Sequence, residues 1–280
     1  MRRQLGEPVS HLTPSRRRAG GALVSVCMRY SHFIALGDSM SIDLYPALDV
    51  GEAAVAVHLE RDAQAGGVAP IGAASLLHAN DDARWPEFAG RDLRSSFAGI
   101  GFENLAADGA TLGEVFAEQL PELPERDDAV VVTLTVGGND LLSAFAARQG
   151  ARGRDLMGRI VQDIVRGYDH LVAGVVRELP NATLLLTTVY DPTDGTGEAP
   201  GLFEGAGRLP LEHLDTLNDH VRRTAATTPG ARLADVHRHF LGHGVTAAEP
   251  ERYYWRRSLI EPSALGASEI RRVWLDALGL

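Results

Sequence analysis

Two aliphatic runs, interrupted only by threonines, constrain this chain more than anything else in it. Val130, Val131, Val132, Leu134 and Val136 make one, Leu184, Leu185, Leu186 and Val189 the other, and neither shows polar alternation. Strands of that kind are covered on both faces, as at the centre of a parallel sheet flanked by helices. Around them, short apolar runs alternate with longer stretches of helical spacing. The pattern predicts strands over 33–36, 99–104, 129–136, 183–189 and 232–236, and helices over 41–48, 112–119, 140–148, 154–179, 210–227 and 264–278. That is an α/β chain, a three-layer α/β/α sandwich on a five-stranded parallel sheet. The Ala- and Gly-rich stretch 50–96 reads as an insertion anchored by Trp85, Pro86 and Phe88 rather than as a separate domain.

With 280 residues, 45% of them hydrophobic, the chain can bury one full core, and we expect a single domain over 31–280. All 27 basic residues are arginine, which excludes Schiff-base, P-loop, protein-kinase and Ser-Lys chemistries, each of which needs a lysine amine. A formal net charge of -10 repels a phosphate backbone, so nucleic acid is not an expected partner. The single cysteine, Cys27, can form neither an internal disulfide nor a multi-cysteine metal site. Residues 1–30 read as a disordered extension, or as residues ahead of a true start at Met28. Their apolar part, Ala19 to Met28, fits a secretory signal poorly because Arg29 follows it and a core strand begins at Phe33. No stretch approaches ~18 uninterrupted apolar residues, so no membrane partner is expected, and a cytoplasmic enzyme is the default.

In an open parallel sheet, ligands sit beyond the carboxyl ends of the strands. The first strand ends in Gly37-Asp38-Ser39, which sets a serine hydroxyl at a strand-to-helix turn near a positive helix end. Alone, this tripeptide is equally a common turn or N-cap. The second strand leads into Asn104-Leu105-Ala106-Ala107-Asp108-Gly109-Ala110-Thr111, where Gly109 can expose its amide, or Thr111 can simply cap a helix. The third ends in Gly137-Gly138-Asn139-Asp140, where the Asn139 amide can donate to an anionic oxygen or cap the next helix.

Taken in order at successive strand ends, these three blocks resemble the SGNH (GDSL-type) hydrolases. The resemblance runs from Phe33 to Leu278 and implies a flavodoxin-like fold and ester hydrolysis through an acyl-serine. By that resemblance Ser39 is the nucleophile, and the Ser39 and Gly109 amides with the Asn139 side chain form an oxyanion hole. Asp38, Asp140 and Asp191, beside the strand ends, are candidates for holding substrate. No cofactor is implied, and the expected partner is a small-molecule ester.

The fourth block departs from the family. Where Asp-x-x-His-Pro is usual, this chain has Ser258-Leu259-Ile260-Glu261-Pro262. The base is then Glu261, or a residue from elsewhere, or is missing. His237, His239 and His243 follow the last strand, and His243, between two glycines, is the freest to reach Ser39. An imidazole near ~6.5 suits serine deprotonation at neutral pH better than a carboxylate near ~4.3 unless burial raises the latter. Neither these histidines nor Asp191 and Asp194 match a metal-ligand spacing; Asp191-Pro192-Thr193-Asp194-Gly195 is first of all turn chemistry. The run Arg252 to Arg257 reads as a rim loop whose aromatics pack down. Two functions compete: a serine esterase, and a catalytically silent binding protein that keeps the fold without the base. A flavin site is disfavoured, because the first turn is too short to wrap a phosphate.

Overall fold

The computed structural model describes residues 30–51, 68–147, 153–198 and 208–280. The extension expected over 1–30 thus lies, Tyr30 apart, outside the described residues, as does the middle of the 50–96 insertion. In chain order the elements are β1 (His32–Gly37), α1 (Leu44–Asp49), α2 (Ala73–His78), α3 (Leu93–Ser96), β2 (Gly101–Asn104), α4 (Leu112–Glu114), β3 (Val130–Thr135), α5 (Gly138–Ala146), α6 (Gly153–Glu178), β4 (Ala182–Thr187), α7 (Leu211–Thr227), β5 (Ala231–Ala234), α8 (Val236–Phe240) and α9 (Ala264–Leu278). All strand pairs are parallel, in the order β2-β1-β3-β4-β5. That is the flavodoxin-like order, whose switch point lies between β1 and β3.

Alternate residues of the central strands feed two cores. Ile34, Leu36, Val132, Leu134, Leu184 and Leu186 face α5, α6 and α7, while Phe33, Ala35, Val131 and Leu185 face α2, α8 and α9. Every residue of β3 is buried, its two threonines included, as a strand covered on both faces requires.

Most boundaries shift by a residue or two, β4 ending at Thr187 rather than 189 and α5 spanning Gly138–Ala146 rather than 140–148, and three further differences have a visible cause. The first helix begins at Leu44 rather than near Ser41, because the Asp38 carbonyl and carboxylate accept the Ser41 and Met40 amides in a tight turn. The expected helix over 112–119 is helical throughout, yet it passes from α4 into a π-helical turn over Val115–Gln119. The last strand stops at Ala234, because Asp235 caps α8 by accepting the Arg238 amide. His237 and His239 are therefore helical rather than on a strand-end loop.

Candidate active site

Ser39 stands two residues beyond β1 at the switch point and is 7% exposed. The turn is possible only with glycine at 37. Its φ is +124°, and an added Cβ would lie 1.8 Å from the Thr135 carbonyl oxygen. Gln119, delivered by the π-helical turn, accepts the Gly37 N–H at Oε1 and donates Nε2 to the Gly37 carbonyl, both at 2.8 Å. The Thr135 hydroxyl accepts the Asp38 amide at 3.2 Å and pairs with the Ser41 hydroxyl at 2.9 Å.

The second block extends the pairing past β2, with the Leu105 and Ala107 amides donating to the Ala35 and Gly37 carbonyls. Gly109 follows in the left-handed region at φ +70°. Among the described residues, neither the Ser39 nor the Gly109 amide donates to a protein acceptor. Gly137, at φ +106°, opens α5 and presents Asn139, whose Nδ2 donates to the Ala110 carbonyl at 3.1 Å and leaves its second hydrogen free. The Asp140 carboxylate accepts the Leu112 amide at 3.0 Å, which ties the third block to the second.

Glu261 is brought to Ser39 by the segment ahead of α9. Tyr254 and Pro262 form an antiparallel bridge, the Trp255 amide donates to the Glu261 carbonyl at 2.8 Å, and the Tyr190 hydroxyl donates to the Ile260 carbonyl at 2.6 Å. Ser263 then caps α9. Glu261 is 6% exposed, and its Oε2 has no hydrogen-bond partner among the described residues. Burial pushes its carboxyl up to about 8. The Ser39 hydroxyl opposes that shift, and the Asp108 and Asp38 charges add to it. Burial likewise raises Asp38 to about 7, against hydrogen bonds from the Met40 amide and Thr135.

Ser39, Asp38, Asn139 and Glu261 share one end of a cleft of about 800 Å³, measured out to its open mouth. Its remaining wall is mostly apolar and includes Leu141, Leu142, Phe145, Met157, Val189 and Leu214. His213, at the start of α7, is the one imidazole among the described lining residues; no sequence pattern singled it out.

The other candidates lie elsewhere or are otherwise engaged. His243 does not line the cleft: its Nδ1 meets the Glu251 carbonyl at 2.7 Å and its ring stacks on Tyr253 at 3.9 Å. His239 pairs with Glu269 at 2.7 Å, and His237 lies 3.5 Å from Arg222. Gly109 and Asp140 are outside the cleft lining. Asp191 lines it, yet Oδ1 accepts the Thr193 amide and hydroxyl and Oδ2 accepts the Gly195 amide, so both oxygens serve the turn. Asp194 accepts the Gly242 and Gly244 amides, and no metal-holding cluster of His, Cys, Asp and Glu occurs among the described residues. In the rim run, Tyr253 and Tyr254 are buried, and Arg256 reaches Glu249 at 3.8 Å. Gln119 and Asn218 were not foreseen. Asn218 clasps Val189 beyond β4 as Gln119 clasps Gly37, accepting its N–H and donating to its carbonyl, each at 2.8 Å.

A sequence model of the GDSL-like lipase/acylhydrolase family matches residues 35–267. Among solved structures, an extracellular lipase from Streptomyces rimosus is 21% identical, covering 88% of this chain and 99% of its own, with a TM-score of 0.59. Phospholipase A1 from Streptomyces albidoflavus is 20% identical over 89% and 99%, with a TM-score of 0.58. The acetylxylan esterase Axe2 from Geobacillus stearothermophilus is 16% identical over 90% and 96%, with a TM-score of 0.55. These structures share the fold. No curated protein sequence matches the chain significantly. Among the described residues, no helix is long and apolar enough to cross a membrane.

Proposed function

Because the chain belongs to the GDSL-like lipase/acylhydrolase family, we propose that it is a serine hydrolase of carboxylic esters, with Ser39 as nucleophile and Glu261 as proton acceptor. One observation carries the reading: the Glu261 carboxyl interacts with the Ser39 hydroxyl where the family's histidine would stand, at the head of an apolar cleft. Ser39 Oγ attacks the ester carbonyl and gives its proton to Glu261. The oxyanion is held by the Ser39 and Gly109 amides and the Asn139 Nδ2. Collapse expels the alcohol, which takes the proton back from Glu261. Water, deprotonated by Glu261, then releases the acid and restores Ser39. The apolar wall along Leu142, Phe145 and Met157 suits a hydrocarbon acyl chain, and no cofactor enters these steps. The single cysteine is in keeping with action in the cytoplasm.

A specific observation favours the silent binding protein as the second reading. A carboxyl near 8 is mostly protonated at neutral pH and cannot then accept the serine proton. A fluorophosphonate probe at pH 9 separates the two. The hydrolase is labelled in the parent and unlabelled in Ser39→Ala, whereas an unlabelled parent establishes the binding protein.

A further inference from the structure

The cleft that begins at Ser39 is walled by successive turns of α5, at Asn139, Leu142 and Phe145, and by the opening turns of α7, at Leu211 and Leu214. Among these apolar groups of α7 stands His213. It is half-buried, whereas its neighbours Glu212 and Asp215 are exposed. One turn along the same face Leu217 packs on Gly137, where an added Cβ would lie 2.8 Å from Leu217 Cδ2. The helix therefore carries His213 about 5 Å further out from the third block, along the cleft rather than at Ser39. No step of the proposed hydrolysis uses this imidazole. Among the described residues its side chain makes no hydrogen bond, ion pair or ring contact. A partly desolvated polar group without a protein partner is satisfied by whatever fills the cleft.

We propose that the acyl half of the substrate carries a hydroxyl in its outer part, held by His213. The proposal rests on the ester-hydrolase reading. A neutral imidazole offers one donor and one acceptor, and a hydroxyl answers with the same pair. A carboxylate on the acyl chain is disfavoured, because Asp38, Asp191 and Glu261 line the cleft and no arginine does among the described residues. A plain hydrocarbon chain covers the apolar wall but leaves the imidazole stripped of water with nothing in exchange.

The test compares ethyl octanoate with its 3-, 6- and 8-hydroxy analogues at pH 9. We expect kcat/KM for the 6- or the 8-hydroxy ester to exceed that of the plain ester at least about tenfold. In His213→Leu that ratio should fall to about one, and His213→Gln, which keeps a donor and an acceptor, should restore part of it. A merely structural role would slow all four esters together and leave the ratio in place. A plain ester cleaved as fast as every analogue, an advantage confined to the 3-hydroxy ester, or a ratio unchanged in His213→Leu overturns the proposal and leaves the hydrolase reading standing. If no ester is cleaved, the hydrolase reading fails, and calorimetric titration of the protein with the plain, 6- and 8-hydroxy esters decides the site. Tighter binding of a 6- or 8-hydroxy ester that is lost in His213→Leu sustains it; equal binding, none, or a preference that survives the substitution removes it.

Discussion

The side-chain amide of Gln119 closes on the Gly37 backbone from both sides, accepting its N–H and donating to its carbonyl at 2.8 Å. The residue that leads into the Ser39 turn is thereby held by a side chain 82 positions away. Gln119→Leu leaves a buried donor and a buried acceptor without partners, at about 1–3 kcal/mol each. We expect the urea midpoint to drop correspondingly and ester turnover to fall more than tenfold as Ser39 loses its placement. Gln119→Glu keeps the acceptor and loses the donor, so it should show an intermediate loss. A fully stable Gln119→Leu protein would mean that the clasp does not hold the turn.

In the proposed mechanism Asn139 does two things with one amide. One Nδ2 hydrogen is engaged by the Ala110 carbonyl, and the other is free toward the cleft. Removing an oxyanion donor costs roughly 3 to 4 kcal/mol of transition-state stabilisation. Asn139→Ala should therefore lower kcat some hundreds-fold with little change in KM, and lower stability by about 1 kcal/mol through the lost bond to Ala110. Steady-state kinetics and thermal melts separate the two losses. A change confined to KM would show that Asn139 binds substrate rather than the oxyanion.

How much of this was legible depended on range. The sheet could be read from Val130–Val136 and Leu184–Val189 because burial on both faces writes itself into consecutive residues. The blocks around Ser39, Gly109 and Asn139 could be read because turns and strand ends demand local residue types. Gln119 and Asn218 could not be foreseen. A lone amide on a helix face carries no local signature, and each partner lies 82 or 29 residues away. Helix α8 was hidden for another reason: five residues are too few for periodicity to show, so Asp235 read as a strand end rather than as a cap. The proton acceptor stayed open among His243, Glu261 and no base at all, His243 entering because sequence offers freedom to a glycine-flanked loop. Packing withholds it: the ring of His243 lies flat on Tyr253.

With Glu261 as proton acceptor, the pH profile follows from its shift. Only the ionised form takes the Ser39 proton, and burial raises the group to about 8. For a neutral ester, kcat/KM should rise about tenfold per pH unit below that value and level above it. Glu261→Gln should lose activity at all pH values. Glu261→His, which restores an imidazole at this position, should move the plateau down toward ~6.5. A parent profile already flat from pH 6 upward would exclude Glu261 as the base.

The same shift must appear in stability. Glu261 moves from 4.5 to about 8 and Asp38 from 3.8 to about 7, each raised first by burial. For an acid whose folded value lies above its unfolded one, the folded state holds the proton more tightly. Its stabilising contribution is therefore complete below the unfolded value and is lost as pH rises through the folded one. For Glu261 that window runs from about 4.5 to about 8, and the loss is at most on the order of 5 kcal/mol. Glu269 is different in sense. Burial pushes it up, but hydrogen bonds from His239 and Arg272 outweigh that and hold it at about 2, so its contribution is lost only on acidification. Glu261→Gln abolishes one titration and leaves the others. Its melting temperature should match that of the parent near pH 5 and exceed it progressively toward pH 8.5. Parallel curves for the two proteins across that range would show that the carboxyl is solvated in both states, and the proton it is meant to exchange with Ser39 would then have no reason to stay.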